Sequence, residues 1–168
     1  MLPLIRQLSI LLAVSMHLLF SSALWADASH HTKQALADQI SISDAYVRGL
    51  PPGQKVTAAF FTLSNNSAED IVLQKVSSPV ANSAEVHETS NTGGQMQMRH
   101  IKELSIKAGE TVMFQSGGKH IMLFGLNKTL TEGEQVALRL CFGDFCRVFE
   151  APVVSVLNEK KVDHHHHH

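Results

Sequence analysis

Short stretches in which apolar and polar residues alternate, each closed by a turn signal, limit this chain to an all-β fold. Candidate strands cover residues 46–48, 57–63, 70–76, 84–88, 95–101, 111–115, 120–124, 135–142 and 145–154. Between them stand Pro51-Pro52-Gly53, Asn65-Asn66-Ser67, Gly93-Gly94, Ala108-Gly109, Gly117-Gly118 and Gly143-Asp144. No stretch sustains a helical period. Strands this short and this closely spaced bury their apolar faces only by packing together, which points to an antiparallel Greek-key β-sandwich or small barrel.

The two ends of the chain set its expected compartment. Arg6 precedes an apolar run over residues 8–20, and Ser21, Ser22, Ala23, Ala26 and Ala28 follow. Residues 1–28 therefore read as a secretory signal peptide, too short in its apolar run to span a bilayer, with cleavage after Ala26 or after Ala28. The mature protein is expected in the periplasm, with no stable membrane insertion after processing. Residues 29–39 lack periodicity and read as a flexible lead-in, residues 40–157 as one domain, and residues 158–168 as a tail. That tail ends in an affinity tag, His164 to His168, which is left out of the functional reading. With 14 Lys+Arg against 15 Asp+Glu the chain is nearly neutral and has no basic block, which argues against nucleic acid as a partner.

Four residues carry the chemistry. His87 is followed after ten residues by Met98, after twenty-one more by His120, and then by Met122. Two imidazoles and two thioethers form a soft, uncharged set that suits Cu(I), and the imidazoles also suit Cu(II). Alternation places Met96, Met98 and His100 on one face of their strand, and His120 with Met122 on one face of another. The Gly117-Gly118 turn puts His120 near a loop end, where a metal can reach it. Taken singly, Met96, Met98, Met113 and Met122 read as core filler before ligands, and a lone His87 or His120 as a surface or hydrogen-bonded histidine.

The full spacing, His87-x10-Met98-x21-His120-x-Met122, resembles the signature of the periplasmic copper chaperone family called PCuAC. Its surroundings agree in Ala45-Tyr46-Val47-Arg48, His87-Glu88, Met96-x-Met98-Arg99 and His120-Ile121-Met122-Leu123-x-Gly125-Leu126. The resemblance implies a cupredoxin-like β-sandwich that binds one copper ion through His87, Met98, His120 and Met122. It further implies delivery to Sco-type proteins or to the cytochrome c oxidase subunit that holds the dinuclear copper centre; copper buffering or resistance, or a structural β-sandwich without metal transfer, are the alternative readings. The chain departs from relatives at Thr89, where a further methionine is common, and at His100, where a proline is common. His100 is thus an auxiliary ligand, an outer group or a solvent-facing residue, and Met96 a neighbour of the set and a candidate auxiliary ligand.

Neutral ligands fit a carrier, since they leave the ion's charge uncompensated and favour release to thiolates. Cys141 and Cys146 flank a two-residue Gly143-Asp144 turn inside a hairpin, which places them opposite one another. An exported protein favours a disulfide there, and a redox-active or copper-binding thiol pair is the rival reading. If cleavage follows Ala28, the mature chain opens Ser29-His30-His31, and His30 and His31 become candidates for an amino-terminal Cu(II) site. A blue-copper protein would need a histidine and usually a methionine close behind a ligating cysteine, and neither follows Cys146. No Ser/His/Asp constellation stands out, and Glu88 beside His87 is slight support for acid–base chemistry, so no enzymatic activity is expected.

Overall fold

The computed structural model of the protein describes residues 34–156, and these are mostly strand. In chain order the strands are β1 Ile40–Gly49, β2 Val56–Asn65, β3 Ile71–Leu73, β4 Lys75–Ser77, β5 Ala81–Thr92, β6 Gln95–Ile101, β7 Leu104–Ile106, β8 Thr111–Phe114, β9 Lys119–Leu126, β10 Gln135–Phe142 and β11 Phe145–Ser155. Nine of them form one sheet in the order β4-β10-β11-β1-β2-β8-β9-β5-β6, while β3 and β7 pair separately. Further pairings of β4 with β5 and of β2 with β9 roll this sheet into a barrel and leave β6 on an edge.

The inner face is dictated by period-two alternation. In β10 the residues Val136, Leu138, Leu140 and Phe142 are buried, and the intervening ones turn outward. In β2 and β9 the inward set is Ala59, Phe61 and Leu63 with Ile121 and Leu123, all in the main core cluster. Phe61 stacks on Phe114 with ring centroids 4.4 Å apart and meets the edge of Phe149. A second, smaller cluster of Tyr46, Ala58 and Phe60 lies apart from the main core, with Met122 and Val154 against it. A bulge in β1 builds it: Asp44 sits at φ 54°, and the register slips by one residue between Ser43 and Tyr46. Aspartate tolerates that left-handed backbone, and Tyr46 consequently lands opposite Phe60, ring centroids 5.0 Å apart.

Several boundaries differ from those the alternation suggests. The stretch 70–76 is two strands, because Gln74 breaks the run and donates its N–H to the Cys141 carbonyl at 3.0 Å. Strand β7 carries too few residues to show a period and is recognisable only from its pairing with β3. Two pairings are parallel, β1 with β11 and β8 with β9. Strands β1 and β11 stand first and last among the strands, so no hairpin constrains their direction, while the consecutive β8 and β9 meet at a single pair, Phe114 with Lys119. Within the expected lead-in, residues 34–38 form one helical turn with Ala37 buried. The signal peptide, His30, His31 and the tail beyond residue 156 lie outside the described residues. Among those described, no helix is long and apolar enough to cross a membrane.

At the tip of the β10–β11 hairpin, Gly143 takes φ +59° while Asp144 keeps an ordinary φ. A positive φ at only the first central residue is the pattern of a II′ turn, which matches the twist of the flanking strands. Cys141 and Cys146 are direct cross-strand partners, and they are disulfide-bonded.

Candidate metal centre

Strand β5 lies between β6 and β9, and the register lines up His100, His87 and His120 in one row across the three. The His87 ring centroid is 5.5 Å from that of His100 and 6.1 Å from that of His120. Directly paired residues share a face, so the row faces away from Val86 and Ile121, which point into the core. Next along this outer face, Met98 pairs with Thr89 on one side of the row, and Met122 pairs with Glu85 on the other. Met122 also pairs with Ala58 of β2. His87, Met98, His120 and Met122 therefore occupy one face of one sheet.

Their surroundings are unequal. Met96, Met98, His120 and Met122 line an open cleft of about 450 Å³ together with Arg48 and Phe60. His87 adjoins that cleft without lining it, and His100 opens instead into a neighbouring groove with Glu85. Met98 is 55% exposed and Met96 62%, so neither fills a core. Met113, also exposed, pairs with Thr62 on β2, away from the cleft. His120 is 5% exposed, the reverse of the open loop-end position that the glycine turn suggests. It is the second residue of β9, and the Phe60 ring lies 6.3 Å from its own.

Hydrogen bonding fixes both rings. His120 Nδ1 donates to the Gly118 carbonyl at 3.0 Å, which leaves Nε2 with the lone pair. Burial holds the His120 pKa below the usual histidine value against the opposing pull of the Gly118 carbonyl, and His87 and Arg48 lower it further. The neutral ring is the form that binds a metal. His87 Nε2 meets Glu85 Oε2 at 2.8 Å, while its Nδ1 is buried with no hydrogen-bond partner. With Nε2 donating to the carboxylate, that orphaned Nδ1 carries a lone pair suited to an ion.

Glu85 is the site residue that sequence reasoning missed, and Glu88 is the wrong neighbour. Glu88 lies on the opposite face, paired across the sheet with Arg99 and Lys119. Lys119 at 2.9 Å and Arg99 at 2.6 Å hold its carboxyl below the ordinary range, so it ties three strands and takes no part in the cleft. The available signal for Glu85 was its i,i+2 spacing from His87 on one strand. Among the described residues, no three His, Cys, Asp or Glu side chains are gathered as a ready metal-binding group. With the side chains as they stand, a site on this face draws on the thioethers beside the imidazoles.

The family described as "Putative lipoprotein LpqE-like" matches residues 40–153, and the chain belongs to that family. Lxx21020 of Leifsonia xyli subsp. xyli (strain CTCB07), likewise described as a lipoprotein, is 34% identical over 118 residues, 70% of each chain. Among solved structures, the copper-bound PCuAC domain from PmoF2 matches with a TM-score of 0.58 at 17% identity, over 70% of this chain and 93% of that one. That likeness is one of fold. DR1885 from Deinococcus radiodurans is 33% identical. Its apo form matches with a TM-score of 0.55 over 70% of this chain and 79% of that one. Its Cu(I) form gives 0.53 over 68% and 75%. The barrel is therefore the cupredoxin-like fold of PCuAC copper chaperone domains.

Proposed function

We propose that this chain is an exported, periplasmic copper carrier that takes one ion, Cu(I) in preference to Cu(II), on His87, Met98, His120 and Met122. The observation that carries the reading is the outer face of β5, β6 and β9. It presents two imidazoles in register, one with an orphaned buried Nδ1, beside two thioethers outside the main core. Thioether sulfur on a protein surface gains little from burial and much from a soft ion. The copper-bound and Cu(I) forms of the structural relatives support the cargo, and the lipoprotein descriptions of the family support export.

The ligands are neutral, so copper bound here keeps its positive charge and is exchangeable. An acceptor offering thiolates, such as a Sco-type protein or the dinuclear copper subunit of cytochrome c oxidase, draws the ion off by stronger ligation. The site acts as a carrier and performs no bond-making chemistry.

Met98→Ile and Met122→Ile test the ligand set, since each keeps the apolar volume and deletes the sulfur. In protein freed of its terminal histidines, competition against a Cu(I) chelator should find affinity lowered about tenfold or more in each variant, with thermal unfolding little changed. Unchanged Cu(I) affinity in both variants would reduce these methionines to surface filling.

A further inference from the structure

We propose that His100 gives this chain a second, thioether-free ligand set for divalent copper, in which His87 is shared between His120 and His100 and the Glu85 carboxylate lies at hand. The inference rests on the copper-carrier reading and extends it to a different oxidation state and a different residue.

The geometry begins with register. His100 is the direct cross-strand partner of His87, which is the direct partner of His120, so the backbone holds three imidazoles in one line on one face. With metal–nitrogen bonds of about 2.0 Å, two imidazoles on one ion have ring centroids separated by at most about 6.3 Å. The observed separations of 5.5 and 6.1 Å both fall inside that limit. Each neighbouring pair is thus spaced for a common ion, and gathering the three imidazoles and the carboxylate around it requires their side chains to turn together, since they do not stand as a ready group.

Donor chemistry points to Cu(II). Three imidazoles and a carboxylate are nitrogen and oxygen donors, the set that Cu(II) takes in tetragonal geometry, whereas the thioethers suit Cu(I). Glu85 already contacts His87 at 2.8 Å, and Glu85 and His100 line the same groove beside the row. His87 Nδ1 is buried without a partner, so one nitrogen of the row has a lone pair committed to nothing else. His100 stands on the exposed edge strand β6, where its ring is free to turn at little packing cost. Two overlapping ligand sets share His87 and His120, one completed by Met98 and Met122 and the other by His100. One carrier then holds its cargo in either oxidation state.

The test uses the full mature chain without its terminal histidines, carrying His30→Ala and His31→Ala so that no amino-terminal copper site contributes. One equivalent of Cu(II) alone is added, and the electron paramagnetic resonance spectrum and Cu(II) affinity are compared with those of His100→Gln. Expected is a nitrogen-rich tetragonal spectrum that loses one nitrogen coupling in the variant. Cu(II) affinity should fall about tenfold or more, at least the cost of losing an outer partner of a ligand, while competitive Cu(I) affinity stays within about twofold. Identical spectra and Cu(II) affinities for the two proteins would overturn the proposal, as would Cu(I) binding without any Cu(II) binding in the parent. Failure of the parent to bind either ion would instead remove the carrier reading beneath it.

Discussion

Single residues divide the labour of this site more sharply than their types imply. His120 is locked by the Gly118 carbonyl and kept neutral by burial, whereas His87 is held through Glu85. Glu85→Gln keeps the shape of that contact and removes the charge that aligns the ring. Copper affinity should fall about tenfold on chelator competition, with the melting temperature unchanged, as for other carboxylates that orient a ligating histidine. Equal affinity would mean that packing alone orients His87. The sequence made the four spaced residues visible, because type and spacing survive in one dimension. It did not separate Glu85 from Glu88, because the two differ only in which way a strand's pleat turns them. Nor did it reveal that Met98 stays exposed, since an apolar side chain on an edge strand reads like one in a core.

At the level of elements, the site depends on three strands whose two faces do different work. One face of β6, β5 and β9 carries the row His100, His87 and His120, and the other carries Arg99, Glu88 and Lys119 one residue along. Strand 95–101 was legible to the residue because Met and Gln alternate cleanly between two turn signals. Strand β5 was foreseen only over 84–88, because its ends are polar and owe their extension to pairing with β9 and β6. The β10–β11 hairpin was equally readable, and its disulfide closes a short loop. Replacing Cys141 and Cys146 together by serine should cost about 2 kcal/mol, the low end for such links. A fall in melting temperature of about 5–10 °C follows for a domain of this size. The variant should still fold and bind Cu(I), since eight cross-strand pairs and the Phe142–Phe145 stack remain. Loss of Cu(I) binding with the fold intact would assign the thiols to the metal.

The small β3–β7 ribbon gives a prediction in pH. The Lys107 ammonium, 2.8 Å from Asp70, and the Ala108 N–H, at 2.9 Å, hold the Asp70 carboxyl below its usual value. A lowered folded-state pKa stabilises the protein above the unfolded pKa of about 3.9, and that contribution disappears as pH falls through the lowered value. Asp70→Asn should therefore melt below the parent at pH 7, and the gap should close as the solution is acidified below about pH 4. A gap independent of pH would show that Asp70 acts through shape.

Across the whole molecule, the stabilising core and the proposed copper site are separated by the sheet itself. The barrel interior is filled by residues such as Phe61, Ile121, Leu138 and Val153, none of which reaches the cleft. On the proposed reading, a metal on the outer face can come and go without disturbing the core. The fold class follows from alternation and turn signals alone, because those are local. Barrel closure through β4–β5 and the parallel β1–β11 seam are long-range pairings with no local signature. The central claim is that copper rests on the outer face among two imidazoles and two thioethers. X-ray absorption at the copper edge, on Cu(I)-loaded protein without its terminal histidines, tests it most directly. The account predicts a shell of two nitrogen and two sulfur neighbours, with sulfur scattering reduced in Met98→Ile and Met122→Ile; a shell of nitrogen and oxygen alone would contradict it.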